Sequence, residues 1–157
     1  MTRTITPAAP EDAAEILALQ RLAYQSEARL YNDWSIPPLT QTLEELRADF
    51  SRMTILKALD EHGGIVGSVR GEMDGGVCRI GRLVVRPDRQ RQGLGAALLA
   101  AIEAAHPQAA RFALFTGSHS VGNLRLYARA GFVETDRREA KPGLTLVFLE
   151  KPGKAAS

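Results

Sequence analysis

Residues 80–99 read IGRLVVRPDRQRQGLGAALL, and the fold is organised around this stretch. Residues 83–85 form a short apolar run that Pro87 ends, because proline cannot donate to a sheet ladder, so the run predicts a buried strand. From Leu94 onward, apolar residues recur at steps of three and four until Pro107, which predicts a helix with one apolar face. The stretch is therefore a strand, a turn rich in arginine and glycine, and a helix.

The turn between the two elements suits a phosphate group. Gln90, Gly93 and Gly95 have the spacing Q-x-x-G-x-G, and glycine lets a ligand lie against the backbone because it has no Cβ. The first N–H groups of the helix are unpaired and lie at the positive end of the helix dipole, where anions bind. The guanidinium groups expected to surround this turn and pair with phosphate oxygens are Arg86, Arg89 and Arg91. A ligand with several phosphates would suit the site.

Three kinds of phosphate-binding loop compete for this turn. The nucleoside-triphosphate loop is excluded because no lysine follows Gly95, and the dinucleotide loop is half met because Leu98 replaces its third glycine. The full pattern Gln90-x-x-Gly93-x-Gly95-Ala96, after a strand that ends Leu-Val-Val-Arg-Pro, is more specific. It resembles the pyrophosphate-binding motif of the GNAT superfamily of acyl-CoA-dependent N-acyltransferases.

A second motif strengthens the resemblance, which extends over nearly the whole chain. Ser120, Asn123 and Tyr127 precede Gly131 and Phe132 with the spacing S-x-x-N-x-x-x-Y-x-x-x-G-F. Asn123 and Tyr127 are four residues apart, so they lie on one face of a helix. Taken alone, they are explained more simply as a helix cap and a packing residue. In the superfamily the matching asparagine contacts the CoA arm and the matching tyrosine is the general acid near the thioester sulfur, which implies Tyr127 as the catalytic residue.

The resemblance implies acetyl-CoA as the cosubstrate. An amine attacks the acetyl carbonyl, charge gathers on its oxygen, and CoA leaves as a thiolate. Backbone N–H groups near Val84 or Val85 would stabilise that oxygen if a bulge leaves them unpaired, and the resemblance implies such a splayed strand. The expected cofactor-binding residues are Leu83, Val84, Val85, Gln90, Arg91, Gln92, Gly93, Leu94, Gly95, Ala96, Asn123 and Tyr127. The histidines lack metal-ligand spacing, so we expect no metal.

The acceptor side is less well defined by the sequence. Residues 30–40 contain two prolines and two aromatic side chains, which predicts an ordered loop that is neither helix nor central strand. Trp34 either anchors this loop to the core or forms, with the rest of the loop, one wall of the acceptor pocket. The residues expected to contact the acceptor are Glu27, Tyr31, Trp34, Glu72 and Arg79.

A general base is not evident. Arg79 and Gly81 stand where several superfamily members place a glutamate or a histidine on the central strand, and neither is a base. A water relay or an acceptor amine of low pKa would need no base. Arg79 and Arg82 would alternatively attract an acidic acceptor. The carboxylates that are candidate bases are Glu27, Glu44, Glu45 and Glu72.

The remaining elements follow from periodicity and turn residues. Thr42 and Glu45 form a capping box that begins a helix. We predict strands at residues 3–6, 53–59, 65–72, 77–85, 111–116, 132–135 and 144–149, and helices at 11–30, from 42, at 94–105 and at 124–130. This order is expected of the GNAT fold, an α/β (α+β) architecture. The resemblance implies a mostly antiparallel mixed sheet of six to seven strands flanked by about four helices, with a splayed central strand.

Composition bounds the other possibilities. The 157 residues are expected to form one domain with a frayed tail at 151–157, and 45% hydrophobic and 24% charged residues are typical of a soluble globular protein. No apolar run is long enough to span a membrane and no signal-peptide core follows Met1, so we expect a cytoplasmic protein. Cys78, the one cysteine, cannot form an internal disulfide and is expected to be a buried thiol.

Three functions can be ranked from these observations. The first is an N-acetyltransferase that transfers the acetyl group to a primary amine of a small molecule or a protein, by direct attack in a ternary complex. The alternative is a non-catalytic acyl-CoA-binding regulatory module, against which the retained Tyr127 counts. A nucleic-acid-binding module is third, because the net charge is only +2 and CoA phosphates explain the arginines. We expect no nucleic acid or membrane as partner, and a homodimer remains open because dimers are common in the superfamily.

Overall fold

The sheet follows the architecture that the resemblance implied. The computed structural model describes residues 4–155. Its strands are β1 (Thr4–Pro7), β2 (Thr54–Leu59), β3 (Ile65–Asp74), β4 (Val77–Val85), β5 (Arg111–Gly117), β6 (Val133–Lys141) and β7 (Leu144–Pro152). They form one sheet in the order β1-β2-β3-β4-β5-β7-β6, and only β4 and β5 run parallel among the described pairs.

The helices differ more from expectation than the strands do. Six lie within residues 4–155, where about four were expected: α1 (Ala13–Ala23), α2 (Gln25–Tyr31), α3 (Pro37–Thr40), α4 (Leu43–Asp49), α5 (Leu94–Ala104) and α6 (Val121–Arg129). The predicted helix at 11–30 is divided, because Tyr24 has a ψ of −1° that separates α1 from α2. The prediction that residues 30–40 contain no helix is wrong. Pro37 and Pro38 begin α3, because the first turn of a helix needs no N–H donor.

The sheet separates two hydrophobic cores. On one face α1 and α4 contribute Ile16 and Leu46, which cluster with Ile55 of β2. On the other face Leu98 and Ile102 of α5 cluster with strand residues that include Cys78. The thiol of Cys78 is buried as predicted, and burial raises its pKa to about 11. Because both faces are covered, the carboxyl end of β4 lies between the two helical layers.

Strand β4 carries the irregularity that the resemblance implied. Ser68 of β3 pairs with Val84 and Arg70 pairs with Gly81, so two residues of β4 lie opposite one residue of β3. This is a bulge, and Arg82 within it has a φ of 49°, a left-handed conformation that costs a non-glycine residue about 1–3 kcal/mol. On its other edge β4 pairs with β5 only over Val77–Arg79. The two strands then separate, which confirms the splayed central strand.

The carboxyl-terminal strands extend further than predicted. Strand β6 reaches Lys141 and β7 reaches Pro152. The predicted frayed tail is wrong for residues 151–153, because Lys151 Nζ donates to Glu103 Oε1 at 2.8 Å and Gly153 N–H donates to the Ala110 carbonyl at 2.8 Å. Residues 156 and 157 of that tail, and Arg3 of the first predicted strand, lie outside the described residues. No helix in the stretch 4–155 combines the length and the apolar character that crossing a membrane requires.

Candidate active site

The glycine turn presents a row of unpaired backbone donors. Arg89 N–H donates to the Arg86 carbonyl, and the next paired donor is Ala97 N–H, which donates to the Gly93 carbonyl. No N–H group from residue 90 to residue 96 donates to an acceptor in the described part of the chain. Gly93, at the N-cap of α5, has a φ of 78°, which glycine adopts without steric cost. These donors converge on the N-terminus of α5 and suit an anion.

The three arginines of this turn have different partners. Arg86 Nε lies 2.6 Å from Asp88 Oδ1, and one Arg89 nitrogen lies 3.7 Å from both Asp60 Oδ2 and Glu61 Oε1. Arg91 is exposed and makes no ion pair with a described residue. We expected all three arginines to pair with phosphate oxygens. Because carboxylates already pair with Arg86 and Arg89, Arg91 is the arginine whose charge is available to a phosphate.

A cleft of about 1790 Å³ connects the glycine turn with the gap between β4 and β5. Leu83, Val84 and Val85 line it, as does the exposed Gln90, whose amide donates to the Val85 carbonyl at 3.4 Å. Arg86 N–H donates to the Val66 carbonyl of β3 at 2.8 Å. Because successive N–H groups of a strand point to opposite edges, the Val85 N–H points into the gap. Since β4 and β5 pair only over Val77–Arg79, this N–H has no acceptor among the described residues, and it lies where the strands separate.

Helix α6 supplies the side chains of the second motif. It begins at Val121, three residues earlier than predicted, so Asn123 lies in its first turn and donates to Thr116 Oγ1 at 3.2 Å. Tyr127 lines the cleft and is buried, with 6% of its surface exposed. Burial raises the pKa of its phenol well above the usual value, and the nearby charge of Glu27 raises it further. The Tyr127 phenol therefore keeps its proton throughout the neutral range.

A directed chain of hydrogen bonds ends on the Glu27 carboxylate in α2. Ser120 Oγ donates to Glu27 Oε2 at 2.7 Å, so its single proton is used. The 2.9 Å contact between Tyr31 and Ser120 must then have the Tyr31 hydroxyl as donor. His119 N–H donates to the Tyr31 oxygen at 2.9 Å. These hydrogen bonds hold Glu27 Oε2 in place, and no donor within residues 4–155 reaches Glu27 Oε1.

Tyr31 completes this arrangement by lying directly against β5. Its ring stacks on that of His119 with centroids 5.5 Å apart. A Cβ atom at Gly117 would overlap the Tyr31 hydroxyl, so the close approach requires glycine at that position. The end of β5 and the end of α2 are therefore held together beside the cleft.

A buried polar cluster lies on the acceptor side of the cleft. The Arg70 guanidinium, 4% exposed, donates to Asp49 Oδ2 at 2.9 Å and to Gln20 Oε1 at 2.5 Å. Asp49 Oδ1 also accepts from Arg52 at 2.7 Å. Desolvation, aided by the positive charge of Arg82, lowers the pKa of Arg70 to about 10. The Arg70 Nε is buried without a hydrogen-bond partner in the described structure.

Comparison with known proteins decides the family. The model of the acetyltransferase (GNAT) domain matches residues 31–151. The chain belongs to the GNAT acetyltransferase family. The match spans both motifs, the bulged strand and the gap.

A relative and two solved structures resemble the chain. Over 134 residues, this GNAT acetyltransferase is 31% identical to the UPF0157 protein YqkA of Bacillus subtilis (strain 168); the match spans 85% of this chain but only 38% of YqkA. The ribosomal-protein-S18-alanine N-acetyltransferase of Escherichia coli has the same fold, with a TM-score of 0.81, 18% identity, and 99% and 97% of the two chains covered. The PaiA N-acetyltransferase of Thermoplasma acidophilum, in complex with coenzyme A, matches with a TM-score of 0.78 and 16% identity. The match covers 97% of this chain and 99% of that chain.

Four of the five candidate acceptor residues line the cleft of this GNAT-family protein, and one does not. Glu27, Tyr31, Glu72 and Arg79 line the cleft, whereas Trp34 is 53% exposed and lies outside it. Glu72 lies 3.3 Å from Arg52, and the exposed Arg79 lies 2.9 Å from Asp74. Both are therefore neutralised by partners. Trp34 neither lines the acceptor pocket nor anchors its loop in the core, because its ring faces solvent beside Arg29 at 6.0 Å.

The structure assigns different positions to the remaining candidate residues Glu44, Glu45 and Gln92. Glu45 completes the predicted capping box, with Oε1 accepting from Thr42 N–H at 2.8 Å, which makes it structural. Glu44 is exposed and, like Gln92 of the glycine turn, does not line the cleft. Within residues 4–155 no three His, Cys, Asp or Glu side chains group in a way that would hold a metal ion.

Sequence reasoning missed the polar cluster behind the acceptor side. Tyr24 lies at the break between α1 and α2, and Gln20, Asp49 and Arg70 are buried polar residues of α1, α4 and β3. The signal that could have revealed it is Arg70, the one charged residue within the stretch 65–71 of β3. Its partners come from helices 21 and 50 residues away, and no local pattern connects them.

Proposed function

We propose that this protein transfers the acetyl group of acetyl-CoA to a primary amine by direct attack in a ternary complex. The observation that carries the proposal is the juxtaposition of the anion-binding turn, the unpaired Val85 N–H and the buried Tyr127 phenol around one cleft. A simple phosphate site would not require the last two.

The residues present fit coenzyme A. The backbone donors of residues 90–96 would bind its pyrophosphate, and Arg91 would supply a positive charge at the exposed rim. Asn123, already oriented by Thr116, would contact the extended arm in the gap between β4 and β5. Acetyl-CoA supplies the activated acyl group, and the protein supplies position and charge stabilisation.

Three groups of this chain would assist the transfer. Three of the candidate bases line the cleft, but Glu45 caps α4 and Glu72 pairs with Arg52. Glu27 accepts from Ser120, the N-cap residue of the helix that carries Tyr127, so we assign to Glu27 the proton of the attacking amine. The Val85 N–H would donate to the carbonyl oxygen as charge develops there. As the nitrogen–carbon bond forms and the carbon–sulfur bond breaks, the Tyr127 phenol would donate to the departing sulfur. Burial raises the pKa of the phenol, so Tyr127 is protonated at neutral pH and can donate a hydrogen bond to the sulfur.

The non-catalytic binding module is the competing function, and two measurements separate the alternatives. Thermal unfolding with acetyl-CoA at about 100 times its Kd should raise Tm by several degrees, whereas NAD and ATP should not. Thiol release from acetyl-CoA is then measured with a panel of primary amines and a lysine peptide. Amine-dependent thiol release supports the transferase, a Tm shift with no amine-dependent release supports the binding module, and the absence of any shift at millimolar acetyl-CoA rejects both.

A further inference from the structure

Arg82 is a cleft arginine that has no partner among the described residues and lies away from the phosphate-binding turn. Arg82 lies in the β4 bulge, is half-buried, and makes no ion pair or side-chain hydrogen bond with any residue from 4 to 155. By contrast, Arg52 and Arg79, which line the same cleft, each pair with a carboxylate. Held in a left-handed backbone conformation, Arg82 occupies a strained position that presents an uncompensated guanidinium to the cleft.

The surroundings of Arg82 add positive charge. Its neighbour Gly81 pairs with Arg70 across the two strands, so the two arginines are close. Arg70 cannot turn to a new ligand, because Asp49, Gln20 and Gln41 hold its guanidinium. It nevertheless carries a buried Nε that no acceptor satisfies, and it shares the single carboxylate of Asp49 with Arg52. Because Asp49 and Glu72 pair with Arg70 and Arg52, Arg82 is the arginine of this wall whose charge remains available to a ligand anion.

The opposite charge comes from Glu27. Arg82 of β4 and Glu27 of α2 line the same cleft. Burial raises the pKa of the nearby Tyr24 phenol, the charge of Arg82 opposes this rise, and the charge of Glu27 adds to it. A ligand in the cleft would therefore lie between a carboxylate and a guanidinium. We propose that the acceptor is a small primary amine that also carries an anionic group, a carboxylate or a phosphonate, and that Arg82 binds this group. The inference rests on the proposed acetyltransferase function.

The spacing along β4 favours a small molecule. Arg82 precedes Val85 by three residues, which is about 10 Å along an extended strand and less across a bulge. The acyl carbonyl would lie at the Val85 N–H, so the amine and its anionic group are separated by only a few bonds once the length of the arginine side chain is included. A guanidinium fork matches both carboxylate and phosphonate oxygens.

The test compares each acid with a neutral analogue in the full-length protein. The pairs are glycine with glycinamide, glutamate with glutamate diamide, and 2-aminoethylphosphonate with 2-aminoethanol, and kcat/KM is measured by thiol release. We expect at least one acid to be preferred by about 10- to 100-fold. Arg82→Gln should remove the preference by raising KM for the acid, Arg82→Lys should restore part of it, and Arg111→Gln, outside the cleft, should preserve it. Equal use of acids and neutral analogues, or an equal loss for both in Arg82→Gln, would overturn the inference.

A binding measurement separates this inference from the proposed function. Protein saturated with CoA is titrated with N-acetylglycine, N-acetylglutamate and 2-acetamidoethylphosphonate, and with their neutral counterparts, by calorimetry. Tighter binding of an acid that Arg82→Gln abolishes supports the anion site even when no amine is acetylated, an outcome that would reject only the acetyltransferase. If acids and neutral compounds bind alike, or neither binds, the anion site is rejected. Circular dichroism and Tm verify that each variant is folded.

Discussion

Ser120 Oγ donates a 2.7 Å hydrogen bond to Glu27 Oε2, and this bond joins the start of α6 to helix α2 across 93 residues of sequence. Ser120 is the N-cap residue of α6, the helix that carries Tyr127. The same bond therefore positions the proposed base and the proposed acid relative to one another. Tyr31 and His119 add two more hydrogen bonds to this series. The position of the Glu27 carboxylate therefore depends on α2, on α6 and on the segment that follows β5.

Replacement of Glu27 tests the base. We expect Glu27→Gln to lower kcat by about 10²- to 10⁴-fold, because an amide cannot accept the proton of the amine, while the Kd for acetyl-CoA stays unchanged. Steady-state kinetics and calorimetry measure the two quantities. Glu44→Gln, an exposed change outside the cleft, is the matched control. Unchanged kcat in Glu27→Gln would assign the proton to water or to another group.

Replacement of Tyr127 tests the acid. The phenol makes no side-chain hydrogen bond with a described residue, so Tyr127→Phe should change the free energy of unfolding by less than about 1 kcal/mol. We expect kcat to fall by about 10- to 100-fold with acetyl-CoA affinity retained, because the thiolate loses its donor. Urea unfolding and stopped-flow thiol release provide the comparison. Full turnover in Tyr127→Phe would show that the leaving sulfur needs no phenol.

Charge at the rim of the phosphate site should affect affinity. Arg91→Gln is expected to weaken acetyl-CoA binding by about tenfold, since a charge-assisted hydrogen bond to phosphate is lost, and to reduce its salt dependence. Calorimetry at two salt concentrations measures both effects. Arg111→Gln, in which the replaced side chain lies 3.5 Å from Glu150, serves as control. An unchanged Kd for acetyl-CoA in Arg91→Gln would mean that the backbone N–H groups of residues 90–96 bind the phosphates without help from Arg91.

The buried ion pair should matter for stability. Asp49→Asn would leave the Arg70 charge buried without its carboxylate, which costs about 3–5 kcal/mol in the free energy of unfolding. Asp74→Asn removes the partner of Arg79 in an exposed pair and should cost less than about 1 kcal/mol. Urea denaturation of the two variants measures the difference. Equal losses would mean that Arg70 is solvated or neutral in the folded protein.

Alkaline pH should destabilise the fold through Cys78. Burial raises the pKa of this thiol from 9.0 to about 11, so its contribution to stability is complete below pH 9 and is lost as the pH rises toward 11. The loss is about 3 kcal/mol at most, from two pKa units. In Cys78→Ala the free energy of unfolding should fall less steeply between pH 9 and 11 than in the wild type. Urea titrations in reductant measure both slopes, and identical slopes would contradict the assignment.

Local patterns predicted the elements around the glycine turn closely. Strand β4 was placed at its observed bounds and α5 to within one residue, because an apolar run, a proline and a glycine turn act within the stretch itself. The break at Tyr24 and the short helix at Pro37 were not predicted. The break has no proline or glycine to mark it, and the two prolines were interpreted as excluding a helix although they are compatible with its first turn. The same holds for Arg86 and Arg89, whose carboxylate partners became visible only in the folded chain.

The amino-acid order of this protein was sufficient for the family, the phosphate-binding turn and the helix face shared by Asn123 and Tyr127, since each depends on spacing within one element. Only the folded chain decided which charges remain available for a ligand. Glu45 caps its own helix and Arg79 pairs with Asp74, whereas Glu27 is held at the cleft by Ser120 and Arg82 has no described partner. Charge pairing joins residues distant in sequence, so it becomes visible only when the strands and helices that carry them are assembled.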